Sequence, residues 1–108
     1  MTLDEFQRQL YATATASTIC EVPVVRRISA TSVNLRIAVA LGGYIDAFFN
    51  EQTGTTAYAW IFDVRRAFGV DNTGGWHMHP LEDPERHDRL TESMPFSEFL
   101  RYLEQRAG

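Results

Sequence analysis

Three histidines, His77, His79 and His87, fall within the stretch GGWHMHPLEDPERH, and the chain holds no others. Imidazole titrates near neutrality, and its neutral form is a common metal ligand. A group of three therefore admits three chemistries. The histidines could hold a divalent metal, with Asp71 as a further ligand, because three protein ligands plus water describes a catalytic zinc site. They could work without metal, His77 and His79 acting as base and acid, with His87 substituting for either or orienting phosphate, cutting RNA through its own 2′-hydroxyl. They could also do no chemistry and only cap loop backbone groups. Their spacing is not a diagnostic metal signature. The expectation is a cofactor-free acid–base site, with a metal on His77, His79 and His87 as the alternative.

Local geometry sharpens this. His79 precedes Pro80, which pushes it towards extended backbone. Side chains two apart in an extended segment point the same way. His77 and His79 should share one side, with Trp76 and Met78 on the other. After Pro84 the chain could return and bring His87 back to the pair. Arg65, Arg66, Arg86 and Arg89 are near in sequence and could hold phosphate oxygens, and Trp76 joins them as a substrate-binding candidate. A polar loop histidine packs little core, so alanine at 77 or 79 is expected to leave the melting temperature near that of the parent.

The elements that must position these residues follow from periodicity. Thr2-Leu3-Asp4-Glu5 is a capping box, and Leu3, Phe6, Leu10, Ala14 and Ser17 form a helical stripe, predicting a helix over 3–17. Strands are expected from Val22 to Ile28 and from Val33 to Leu41, where apolar residues alternate with polar or small ones. Gly42-Gly43 predicts a two-residue hairpin turn. Return strands are expected over 44–51, 55–63 and 66–71, with a tight turn near Asp63 to Arg65. From Asn72 to Met94 the composition changes to Gly, Asn, His, Pro and charge, which predicts a long loop, of the kind that is usually functional or mobile. Phe96, Phe99, Leu100 and Leu103 then predict a closing helix, with Ser93 as candidate cap. The whole is one α+β domain over 1–108: an antiparallel meander of four to five strands, with an N-terminal and a C-terminal helix on one face.

Composition bounds the function. Hydrophobic residues make up 44% and charged residues 22%, as in ordinary globular chains. No apolar run approaches the ~20 residues of a membrane span, and MTLDEFQRQL lacks the pattern of a signal peptide. A cytoplasmic protein is expected. Cys20 is the single cysteine, which excludes a disulfide framework and fits a buried structural thiol. The net charge of −4 argues against a protein that coats nucleic acid, but it leaves room for a local basic pocket. All ten positive residues are arginine, which codon bias of a GC-rich genome explains best, although arginine also suits bidentate phosphate contacts better than lysine. Tyr44, Phe48, Tyr58, Trp60 and Phe62 could form a platform for stacking bases, although aromatics at period two are more often core or dimer contacts.

The segment RRAFGVDNTGGWHMHPLEDPERH, with LRIAVALGGYIDAFFNEQTG before it and PFSEFLRYLEQ after, resembles the TumE family of small bacterial and archaeal proteins. The likeness runs from Leu35 to Gln105. Its most specific part is Gly-x-Asp-Asn at Gly69 to Asn72, followed by Trp-His-x-His-Pro at Trp76 to Pro80. The resemblance implies the toxin of a toxin–antitoxin module, acting as a ribonuclease and silenced by a helix-turn-helix antitoxin. Asp71, His77, His79, His87 and Arg66 match the polar positions of that motif. A homodimer is also expected. Two other classes stay open: a non-catalytic module whose loop recognises a protein or ligand, and a metal-dependent hydrolase acting on something other than RNA.

Overall fold

The computed structural model describes residues 1–107. A first helix, α1 (Leu3–Ala16), leads into strands β1 (Val24–Ile28), β2 (Ser32–Ala38), β3 (Tyr44–Asn50), β4 (Thr56–Phe62), β5 (Arg65–Asp71), β6 (His77–His79) and β7 (Asp88–Arg89). A second helix, α2 (Phe96–Ala107), closes the chain. The strands lie side by side in chain order, and every neighbouring pair is antiparallel.

The α+β architecture is as the periodicity implied, but the sheet has seven strands among the described residues rather than four or five. The two additional strands lie inside the segment expected to be loop. They are three and two residues long and carry no apolar alternation. Their strand character comes from the ladder bonds that β5 offers to β6 and β6 in turn offers to β7, which composition does not reveal.

The capping box forms. The Thr2 hydroxyl accepts from the Glu5 amide at 3.1 Å, and the Glu5 carboxylate accepts from the Thr2 amide at 3.0 Å. Phe6, Leu10 and Ala14, one turn apart, bury against the sheet. The helix stops at Ala16, where Ser17 becomes extended and its hydroxyl donates to Glu104 of α2 at 3.1 Å. In α2, Phe96, Phe99, Leu100 and Leu103 are all buried. Ser93 is not its cap: α2 begins at Phe96, and the Pro95 carbonyl accepts from the Phe99 amide.

Register sorts side chains by face, because paired residues point the same way. Val33, Leu35, Ile37, Ile45, Ala47, Phe49, Tyr58, Trp60, Phe68 and Val70 meet the two helices in one core. Tyr58 and Trp60 are therefore core residues, while Tyr44 and Phe48 lie on the face that no helix covers, so the five aromatics do not make a single platform.

The β2–β3 connection spans Val39 to Gly43 instead of two glycines alone. Beyond Ala38 the chain pairs with residues 19–21: the Ala40 amide donates to the Ile19 carbonyl at 2.8 Å and the Glu21 amide to the Ala38 carbonyl at 2.9 Å. That pairing pulls β2 away from β3 early. Gly43 has φ +67°, and a Cβ there would stand 2.0 Å from the Ile61 carbonyl oxygen, so only glycine fits. Between β4 and β5, Asp63 and Val64 both have positive φ, as a tight two-residue hairpin turn requires.

Candidate active site

Asp71 ends β5, and β6 runs back beside it with Asp71 opposite His77 and Gly69 opposite His79. This register places the carboxylate and both imidazoles on the open face, with Met78 turned to the other side, as the extended segment implied. The His77 Nε2 lies 3.3 Å and the His79 Nε2 3.7 Å from the same oxygen, Asp71 Oδ2. The other Asp71 oxygen accepts from the Thr73 amide at 3.0 Å and fixes the carboxylate in the turn. His77 Nδ1 is 2.9 Å from the Gly75 carbonyl. Both nitrogens of His77 thus face acceptors.

His87 arrives from the 80–87 segment. Its ring lies 4.3 Å from that of His79 and stacks on that of His77 at 5.2 Å, centroid to centroid. One nitrogen from each of the three rings can be chosen so that all lie within 4.8 Å of one another. The three differ in access: His77 is half-buried, His79 is buried at 3% exposure and His87 is exposed. Burial pushes the pKa of His79 below the ordinary imidazole value, with Arg66, His87 and His77 adding to the effect and Asp71 opposing it. Its Nδ1 is buried without a hydrogen-bond partner. At 3% exposure His79 does not fit the premise that a loop histidine packs little, while His77 keeps the more open setting.

Arg66 reaches the site through an irregularity in the sheet. Trp60 pairs with Phe68 but Ile61 pairs with Arg66, so Ala67 is an extra residue in β5. Such a bulge resets the alternation, putting Arg66 on the same face as Gly69. A Cβ on Gly69 would stand 2.9 Å from Arg66 Cδ. The absent side chain lets the arginine lie across the strand and donate to the Pro84 carbonyl at 3.3 Å, which braces the loop over His79. From sequence Gly69 entered only as part of the Gly-x-Asp-Asn motif, and the bulge was not identified. A glycine inside a strand was the available signal.

The remaining candidates are placed differently. Arg86 is paired with Asp88 at 2.7 Å and with Glu82 at 3.3 Å, bracing the His87 segment. Arg89 is opposite His77 across β6–β7 and donates to the Gly74 carbonyl at 3.3 Å. Arg65 pairs with Phe62, one step out of phase with Arg66, and points away from the histidines. Trp76 packs against the core and lines an apolar cavity of about 440 Å³ with Phe6, Tyr58 and Phe96. It is on the far side of the sheet from the imidazoles. Asn72 is structural: its side chain accepts from the Thr56 amide at 2.8 Å and donates to the Gly54 carbonyl at 2.9 Å. Cys20 is a half-buried free thiol whose pKa burial pushes up, which does not favour a reactive thiolate.

The class that fold and site define is an α+β protein carrying a three-histidine, one-carboxylate cluster near the edge of an open sheet face. No helix among the described residues is long and apolar enough to cross a membrane. No family model, curated protein or solved structure matches the chain.

Proposed function

We propose that this chain is the toxin of a toxin–antitoxin module, a cytoplasmic ribonuclease silenced by a helix-turn-helix antitoxin. The observation that carries the reading is the meeting of three imidazoles, two of them on the Asp71 carboxylate, beside Arg66. His77 and His87 are the two that a substrate can reach. In the proposed reaction His87 takes the proton of an RNA 2′-hydroxyl as that oxygen attacks the adjacent phosphorus. The bond from phosphorus to the 5′-oxygen breaks, and His77 gives a proton to the departing oxygen. The products are a 2′,3′-cyclic phosphate and a free 5′-hydroxyl. The Gly75 carbonyl holds Nδ1 of His77, so Nε2 is the nitrogen left to pass a proton to the departing oxygen. Asp71, 3.3 Å from that Nε2, holds the ring until the substrate oxygen takes its place. Arg66 offsets the charge that builds on the phosphoryl oxygens, and His79 supports the other rings from beneath.

Val24, Val25 and Ile28 stand exposed on β1, whose outer edge is unpaired. An exposed apolar sheet edge suits a protein partner, which supports the antitoxin or a second copy of the chain as its occupant. The test is expression without the antitoxin of the parent, His77→Ala, His87→Ala and His79→Gln, following growth, RNA integrity and thermal melting together. A lost general acid or base costs ~10²–10⁴-fold, so His77→Ala should cut RNA at least a hundredfold more slowly, on the order of 10², while melting with the parent. If it cuts as fast as the parent, the acid–base reading is lost. If it cuts less only because it unfolds, His77 has a structural role.

A second reading rests on the same nitrogens. The three imidazoles could hold a divalent metal that activates water for hydrolysis, the His77 Nδ1 contact to Gly75 then aiming Nε2 at the ion. Zinc–nitrogen bonds of ~2.0–2.1 Å need the nitrogens drawn closer than their present limit of 4.8 Å. Metal analysis of the purified chain decides between the two. Stoichiometric zinc, manganese or nickel, with activity lost on chelation, selects the metal. A metal-free chain indifferent to chelator removes it. A chain that neither binds metal nor cuts RNA is a binding module.

A further inference from the structure

At the opposite side of the open face, far from the histidines, Arg26, Arg27, Ser32, Asn34, Arg36 and Phe48 line a groove of about 510 Å³. Its arginines meet there because of a second irregularity. Val25 pairs with Leu35 and Arg27 with Asn34, so Arg26 is an extra residue in β1. Adjacent side chains of a regular strand point to opposite faces, but here both arginines line one groove. Arg36 lies with its guanidinium 3.9 Å above the Tyr44 ring, and its Nε is buried without a hydrogen-bond partner. None of these three arginines takes part in an ion pair among the described residues. Asp46, the acid on this part of the face, lies across from Arg36 and receives the Asn34 amide at 3.4 Å.

Two rows of paired residues connect the groove to the histidines. One runs Asn34, Phe48, Ala57, Asp71, His77; the other runs Arg36, Asp46, Ala59, Gly69, His79. The first passes over Ala57 and the second over Ala59 and Gly69, small residues that keep the middle of the face low, and Arg66 lies across Gly69. Four strand spacings separate β2 from β6, about 19 Å at ~4.8 Å each, a span that a few nucleotides of extended strand cover. Charge is distributed to match. Apart from Arg65, which points away, the strands carry Arg26, Arg27, Arg36, Arg66 and Arg89 against Asp46, Asp71 and Asp88, in a chain whose net charge is −4. The remaining acids belong to helices and connections.

We propose that this groove is a distal subsite for single-stranded RNA, in which Arg26, Arg27 and Arg36 hold backbone phosphates and Phe48 stacks a base while the strand crosses the open face to the histidines. Guanidinium suits phosphate by its fork of donors, and base stacking on an aromatic needs no particular sequence. The identity of the strand rests on the ribonuclease reading above; the groove itself rests on its arginines.

The experiment measures anisotropy of a labelled 2′-O-methyl oligoribonucleotide of about twelve nucleotides, which cannot be cut because its 2′-oxygens are blocked. The full-length parent is compared with the double variant Arg26→Ala/Arg27→Ala, with Phe48→Ala and with Arg101→Ala on α2, across a range of salt. All five residues of β1 are exposed, so the double variant is expected to melt like the parent. It should bind at least about tenfold more weakly, and its salt slope should fall by about 1.4, the value for two lost phosphate contacts on a single strand. Arg101→Ala should bind as the parent does. An unchanged affinity and slope in the double variant overturns the proposal, as does an equal loss in Arg101→Ala. Cleavage of a dinucleotide, too short to reach the groove, separates this from the reaction. The double variant should cut it like the parent. If no RNA is cut by any of them while the double variant still loses oligonucleotide affinity, the ribonuclease reading fails and the subsite stands.

Discussion

One face of the sheet lies under two helices, and the other lies open. The covered face is built from alternating apolar residues, with Leu35, Ile37, Ile45 and Phe68 at 0% exposure. The open face carries Asn34, Asp46, Asp71, His77 and His79 at the matching register positions. Burial of apolar area is non-directional and spread over many contacts. The open face instead depends on a few directed bonds, such as Asp71 Oδ2 between two imidazoles and Arg66 on the Pro84 carbonyl. A change on the covered face should therefore act on the amount of folded protein, and a change on the open face on what each folded molecule does.

The largest effect on stability is expected from Phe99→Ala. Phe99 is fully buried, stacks on Phe68 at 4.9 Å and tilts against Tyr58 at 5.4 Å. Truncating a buried phenylalanine costs about 3–5 kcal/mol, a large share of the ~5–15 kcal/mol that holds a domain folded. Denaturant melts should show this loss, while RNA cutting per folded molecule stays at the parent level. Near-parental stability would mean that this face is not the core.

Gly69→Ala should act in the opposite sense. The new methyl would meet Arg66 Cδ at 2.9 Å and push the arginine off the strand. One exposed hydrogen bond is worth roughly 1 kcal/mol, so melting should change little. Cutting should fall by about tenfold, equivalent to ~1.4 kcal/mol of barrier. A variant that cuts normally would show that Arg66 is only a brace.

The smallest effect should come from Val64→Gly. Val64 is 98% exposed and holds φ +56°, a region that costs a branched residue roughly 1–2 kcal/mol. Glycine removes that strain but gives back backbone entropy, so a gain of up to ~1 kcal/mol is expected. For a chain of this size that is about 4 °C in melting temperature or somewhat more. Both faces should be unaffected in function. A lower melting temperature would show that the turn is not strained.

How far the molecule was legible differs between its two faces in the same way. Helix positions, the four central strands and their buried residues follow from periods of 3.6 and 2 and from the capping box at Thr2 and Glu5. The shared side of His77 and His79 was legible too, since it needs only extended backbone before Pro80. The strand count was not. Nothing in HMH or in Asp88-Arg89 carries a strand pattern; the first is a strand because β5 presents unpaired backbone groups to it, and the second because β6 does the same.

Residue types and local spacing by themselves determined that this chain is α+β, where its core lies and that one polar segment concentrates its imidazoles, because periodicity and turn chemistry act over a few neighbouring residues. Only the tertiary structure decided which groups meet. The bulge at Ala67 aims Arg66, the bulge at Arg26 places two arginines in one groove, and the fold-back after Pro84 sets His87 against His79. Each of these depends on register between strands. A one-residue slip there reverses every side chain from face to face, and that choice is made by pairing energies summed over the whole sheet.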